Sequence, residues 1–152
     1  MTATDIENGE TDPQLDRRLC DAAWAGDVEQ IKELCLLGAN IECFNDNGNT
    51  PLHLAIEQGN YEAVNTLLEL GADIERRTRL GDWTPLLHAV EVVSDAAIQL
   101  RRPADNRLIR LLLDYGADVH QRCLDGDSAI GLAREFTNAE AEEILREAGA
   151  KE

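Results

Sequence analysis

One feature constrains this chain more than any other: it repeats itself. Leu37-Gly38-Ala39-Asn40-Ile41, Leu70-Gly71-Ala72-Asp73-Ile74 and Tyr115-Gly116-Ala117-Asp118-Val119 are near copies, and Ala148-Gly149-Ala150 is a truncated fourth. Their glycines lie 33, 45 and 33 residues apart. A second series keeps step with the first: Thr50-Pro51-Leu52-His53, Thr84-Pro85-Leu86-Leu87 and Ser128-Ala129-Ile130-Gly131. A period near 33 residues belongs to a supersecondary unit that cannot bury its apolar face alone and stacks on copies of itself. From the Thr or Ser of each unit to the next Gly-Ala is 21 residues in the second and fourth units and 32 in the third. The third unit therefore carries an 11-residue insertion, placed at roughly residues 92–106.

Local chemistry predicts two helices per unit. Thr50 and Thr84 are N-cap residues, each followed by a proline at the first helical position, where a missing N–H is not needed. Asp12-Pro13 starts the first helix in the same way. Gly38, Gly71 and Gly116 fall where a second helix must end in a left-handed residue. Between these signals Ile31, Leu34 and Leu37 recur at helical spacing, as do Val64, Leu67, Leu68 and Leu70, then Ile109, Leu112 and Leu113. Ala22, Ala55, Ala89 and Ala133 let neighbouring helices approach closely. In the insertion Val93, Ala97 and Leu100 share a helical face, Pro103 ends the run and Asp105 is expected to cap the next helix. This predicts a lengthened first helix in the third unit, or an extra hook beside it.

Thr50-Pro51-Leu52-His53-Leu54-Ala55, followed by Leu67-Leu68-Glu69-Leu70-Gly71-Ala72-Asp73, resembles the signature of the ankyrin family. The resemblance covers about residues 16–152. It implies an all-α solenoid of four helix-loop-helix units, at about 13–45, 46–79, 80–123 and 124–152, behind an acidic, disordered tail at 1–12. The first unit, with Arg17-Arg18 in place of Thr-Pro, and the polar last unit read as caps. The resemblance also gives His53 a structural role, linking adjacent repeats by hydrogen bonds; His88 falls one residue beyond the equivalent position.

Enzyme chemistry has little to stand on. Ser94 and Ser128 are the only serines. No Walker loop, G-x-S-x-G or G-x-G-x-x-G occurs, and no Ser, Cys or Asp is placed for a relay with His53. Asn45-Asp46-Asn47-Gly48-Asn49 lacks the closing Glu of a calcium loop. Cys20, Cys35, Cys43 and Cys123 show no metal-ligand spacing and read as free thiols, with Cys20 and Cys35 in the core. No cofactor or metal is expected. No run approaches the roughly 20 apolar residues of a membrane span, and the N-terminus lacks a signal-peptide pattern. A cytoplasmic location is the expectation.

Thirty acidic residues against fourteen basic ones leave a formal charge of −16. Such a surface repels nucleic acid and anionic membranes and accelerates encounter with a basic partner. Residues 76–110 are the exception, a local +3 against −19 elsewhere; some of those arginines are expected to pair internally. In ankyrin proteins the loops project as fingers and the first helices line a concave groove that holds a protein partner. Mapped by the motif, that partner-binding set is Trp24, Asp46, Asn47, Asn49, Glu57, Gln58, Leu80, Trp83, Glu91, Leu124, Asp125 and Asp127. Both tryptophans fall in it, and tryptophan is a favoured interface anchor. The expected function is protein binding, with no enzyme activity, by a chain that is monomeric when alone. The specific expectation is a cytosolic immunity protein that neutralises a basic toxin or nuclease domain, and the alternative is an adaptor or scaffold joining two partners.

Overall fold

The computed structural model describes residues 11–151. The acidic tail expected at residues 1–12 lies outside the described residues as far as residue 10. Among the described residues eight helices run in chain order: α1 (Pro13–Ala25), α2 (Val28–Leu36), α3 (Pro51–Glu57), α4 (Tyr61–Glu69), α5 (Pro85–Leu100), α6 (Arg107–Asp114), α7 (Ala129–Glu135) and α8 (Ala139–Glu147). The first helices pack in sequence, α1 on α3, α3 on α5 and α5 on α7, and α2, α4 and α6 pack in sequence as a second layer. Among the described residues there is no strand, only an isolated bridge between Arg122 and Ser128. This is a helical solenoid, as the period requires.

The starts of the helices follow from their caps. Thr50, Thr84 and Ser128 each accept the amide N–H three residues on, and Asp12 accepts that of Gln14. Pro13, Pro51 and Pro85 open their helices without losing a hydrogen bond. Ala22, Ala55, Ala89 and Ala133 are at most 1% exposed, so the first helices touch where nothing larger than a methyl group fits. Ile31, Leu34, Val64, Leu67, Ile109 and Leu112 from the second helices are fully buried against them. Gly71 closes the fourth helix at φ +97°, a conformation that a side chain would strain.

Side chains reach between units and fix the stacking. His53 is fully buried: its Nδ1 lies 2.8 Å from the Thr50 hydroxyl and its Nε2 3.1 Å from the Trp83 carbonyl of the next unit. The linking role implied for His53 is thus visible in the geometry. Carboxylates do the same work at the loops, where Glu42 accepts the Asp73 N–H and Glu75 that of Asp118, each at 2.7 Å. The third unit has Leu87 where His53 stands in the second, so it cannot repeat the histidine link. A buried amide network holds the fourth unit instead: Asn138 donates to Ser94 and to Asn106, both at 2.9 Å.

The insertion lengthens α5 to 16 residues, against 7 for α3 and α7. Ser94 lies in this added stretch. The cap expected at Asp105 sits one residue later, at Asn106, whose side chain is committed to Asn138. Asp105 nevertheless accepts the Arg107 N–H at 3.2 Å and clamps the Arg107 guanidinium, which holds its carboxyl below the usual range. Val93 and Ala97 are half-buried beside a cleft of about 230 Å³ that faces Gln58 and Tyr61. Leu100, at the far end of that face, remains 58% exposed.

Candidate protein-binding face

Residues seven positions beyond the caps Thr50, Thr84 and Ser128 are Glu57, Glu91 and Glu135. The packing of α3, α5 and α7 sets these three carboxylates in a row, and Trp24 of α1 holds the matching place in the first unit. Asp95, one turn beyond Glu91 on the lengthened helix, joins them. Together with Val92, Ala96 and Phe136, Glu57, Glu91 and Asp95 line an open cavity of about 550 Å³. The Glu91 carboxyl is pushed above its ordinary range, first by burial and then by the negative charges of Asp95, Glu135 and Glu57. Glu57 and Glu135 also end their helices, where the backbone dipole is already negative.

Arg102 and Arg107 border the neighbouring cleft on the far side of Glu57. At the centre of the row His88 sets Nδ1 3.9 Å from the Glu91 carboxylate. Burial lowers the His88 pKa to about 4, so the ring is neutral at neutral pH. Its Nε2 is buried and makes no hydrogen bond within the protein. His88 stacks edge-on against His53 with ring centroids 5.6 Å apart. Burial, reinforced by His88, takes His53 to about 3.

The expected partner-binding residues divide into groups. Glu57, Gln58 and Glu91 lie along the first-helix face, and Trp24 is 47% exposed at its N-terminal end. Leu80 (71% exposed) and Leu124 (76%) occupy the tips of adjacent fingers, joined by the Leu124 N–H to the Gly81 carbonyl at 3.0 Å. Asp125 and Asp127 are exposed beside Leu124. Asp46 and Asn47 are exposed on the first finger and border a separate cleft with Arg17, Arg76 and Arg79. Asn49 is half-buried and structural, its N–H donating to the Asn45 side chain.

Trp83 departs from expectation. Its ring is half-buried against the core and edge-on to His88 at 6.5 Å, folded over Gly81 so closely that a Cβ there would come within 2.6 Å of it. The ring supports its own finger rather than presenting an anchor. Of the 76–110 arginines, Arg76 pairs with Glu42, Arg77 with Asp82, Arg107 with Asp105 and Arg110 with Glu140. Arg76 and Arg79 also flank the Phe44 ring. The local excess of positive charge is thus largely consumed internally.

Sequence reasoning missed Asp95 and Glu135. Glu135 had a signal, its register with Glu57 and Glu91. Asp95 becomes part of the row only because the insertion continues α5.

Known proteins point the same way as the geometry. The B-cell lymphoma 3 protein homolog of Mus musculus is 33% identical over 86% of this chain, and the match covers 24% of that protein. The ankyrin repeat and SOCS box protein 11 of Homo sapiens is 33% identical over 84% of the chain and 35% of its own length. An L-asparaginase of Dirofilaria immitis is 28% identical over 83% of the chain and 24% of its own length. The chain thus spans only about a quarter to a third of the length of these relatives. Residues 19–101 match the family described as Ankyrin repeats (3 copies); with the stacked helix pairs and the His53 link, this chain belongs to the ankyrin-repeat family.

Proposed function

We infer that this chain mediates protein–protein interaction, as ankyrin repeats generally do. We propose that this chain binds a basic protein segment along its first-helix face, with Glu57, Glu91, Asp95 and Glu135 as the electrostatic floor. Trp24, Leu80 and Leu124 supply apolar contact around it. The observation that carries this reading is the crowding of Asp95, Glu135 and Glu57 around Glu91, which raises its carboxyl. Like charges crowded at helix ends cost stability, and a partner's lysines or arginines would relieve that cost on binding. Steering by such a field acts on the association rate more than on residence time.

The role that best suits a preformed acidic face is that of a cytoplasmic immunity protein holding a basic toxin or nuclease domain inactive. Co-expression with such a domain tests it: the intact chain rescues growth, and a chain with Glu57, Glu91 and Glu135 changed to glutamine does not. Equal rescue by both would discard the acidic-face mechanism. A second reading, an adaptor for two partners, draws on apolar residues at the ends of the second helices, where Leu37 (54% exposed), Leu70 (42%) and Tyr115 (39%) recur in register. If it holds, the glutamine variant loses one partner and keeps another.

A further inference from the structure

We propose that Cys20 and Cys43 are an oxidant-responsive pair that closes to an intramolecular disulfide, tying α1 to the base of the first finger. The sulfurs lie 3.6 Å apart although 23 residues separate them in sequence. No other pair of the chain's cysteines is in contact, and all four are free thiols.

The loop bearing Cys43 is held in place from several sides. The Cys43 N–H donates to the Asn40 carbonyl at 3.0 Å, and the Asn40 N–H to the Asp16 carboxylate at 2.7 Å. The Cys43 thiol lies 3.5 Å from the Asp16 carbonyl. A disulfide needs the sulfurs to close from 3.6 Å to about 2.0 Å. Both residues are largely buried, at 5% and 7% exposure, yet both line the open cleft bordered by Arg17, Arg76 and Arg79. A small oxidant therefore has a route to them.

The two thiols are not equivalent. Hydrogen bonding from Cys43 favours the Cys20 thiolate, and the same contact with burial pushes the Cys43 thiol up. The Cys43 thiol also points at the Asp16 carbonyl, a contact that retains its proton, so Cys20 is the attacking sulfur and Cys43 the resolving one. With hydrogen peroxide as oxidant, the Cys20 thiolate attacks one oxygen, the O–O bond breaks, and the departing hydroxide takes a proton to become water. The Cys43 sulfur then attacks the Cys20 sulfenic acid, the S–O bond breaks, and the Cys43 proton leaves with that hydroxide as a second water. Two thiols are oxidised and one peroxide is reduced. The nearby carboxylates of Asp16, Asp21 and Asp46 oppose thiolate formation at Cys20, so the reaction is slower than in a dedicated peroxidase. The bond would tie α1 to the loop that leads into the second unit.

The test uses the full reduced chain, treated with excess hydrogen peroxide, alkylated and mapped by mass spectrometry. The expected product is a monomer that has lost two hydrogens, takes up label only at Cys35 and Cys123, and yields joined Cys20 and Cys43 peptides separable by dithiothreitol. In Cys43→Ser, dimedone should trap a sulfenic acid at Cys20, whereas in Cys20→Ser it should find little at Cys43. Amide exchange in α1 should slow by about tenfold on oxidation. Full alkylation after peroxide, oxygen addition without a cross-link, or a link between chains would each overturn the proposal.

Discussion

Acid should unfold this protein through two histidines, and the size of the effect can be worked from their burial. An unperturbed histidine titrates near 6.5, while His53 and His88 are lowered to about 3 and about 4. Between those values and 6.5 the unfolded chain binds protons that the folded chain refuses, so stability is present above 6.5 and is lost as pH falls. Linkage puts the loss between pH 7 and pH 5 at roughly 2 kcal/mol for each ring. Raised carboxyls at Glu75 and Glu91 work in the opposite direction, as does relief of the net negative charge, so the wild-type curve alone is not diagnostic. The informative comparison is with His88→Leu, which also removes the unpartnered Nε2 and so should cost at most about 1 kcal/mol at pH 7. Urea titrations followed by helical circular dichroism at pH 7 and pH 5 should show the wild type losing about 2 kcal/mol more than His88→Leu. Parallel losses in the two proteins would mean that His88 titrates normally when folded, and the stated burial argument would fail.

Other perturbations separate scaffold from surface. His53→Ala leaves a cavity and an unpaired Trp83 carbonyl, and should cost about 2–4 kcal/mol, or roughly 6–12 °C in thermal melting. Asn138→Ala breaks the amide network that docks the fourth unit, with an expected loss of about 2 kcal/mol by denaturant titration. Trp83→Ala should destabilise the fold by about 1–3 kcal/mol, whereas Trp24→Ala should change stability by less than about 0.5 kcal/mol yet weaken partner binding by more than about 2 kcal/mol in calorimetry if that ring is an anchor. Changing Glu57, Glu91 and Glu135 together to glutamine should raise stability by up to about 1 kcal/mol; a loss in the same melt would show that the row is not self-repelling.

The stack was legible in the sequence wherever rules are local. Caps, first-position prolines, small alanines and helix-ending glycines each act within a few residues, so Thr50, Pro51, Ala55 and Gly71 could be placed without coordinates. What escaped depends on how units meet. Whether the Trp83 ring points outward is decided by Gly81 and His88, which make room for it and cover it. Asn106 serves Asn138 rather than its own helix, and Asn138 is held in turn by Ser94 on the longer α5. The Cys20–Cys43 contact joins α1 to the loop after α2, and no spacing rule describes it. Of the candidate site, the acidic character of Glu57 and Glu91 was readable, but its extension to Asp95 and Glu135 rests on side-by-side packing of α3, α5 and α7.

The most direct test of a partner-binding acidic face is the association rate of a basic partner measured by stopped flow across a range of salt concentrations. For the wild type the rate should fall by at least about tenfold from low to high ionic strength, and the three-glutamine variant should start slower and lose most of that dependence. A rate indifferent to salt, or a variant that follows the wild-type curve, would contradict the account.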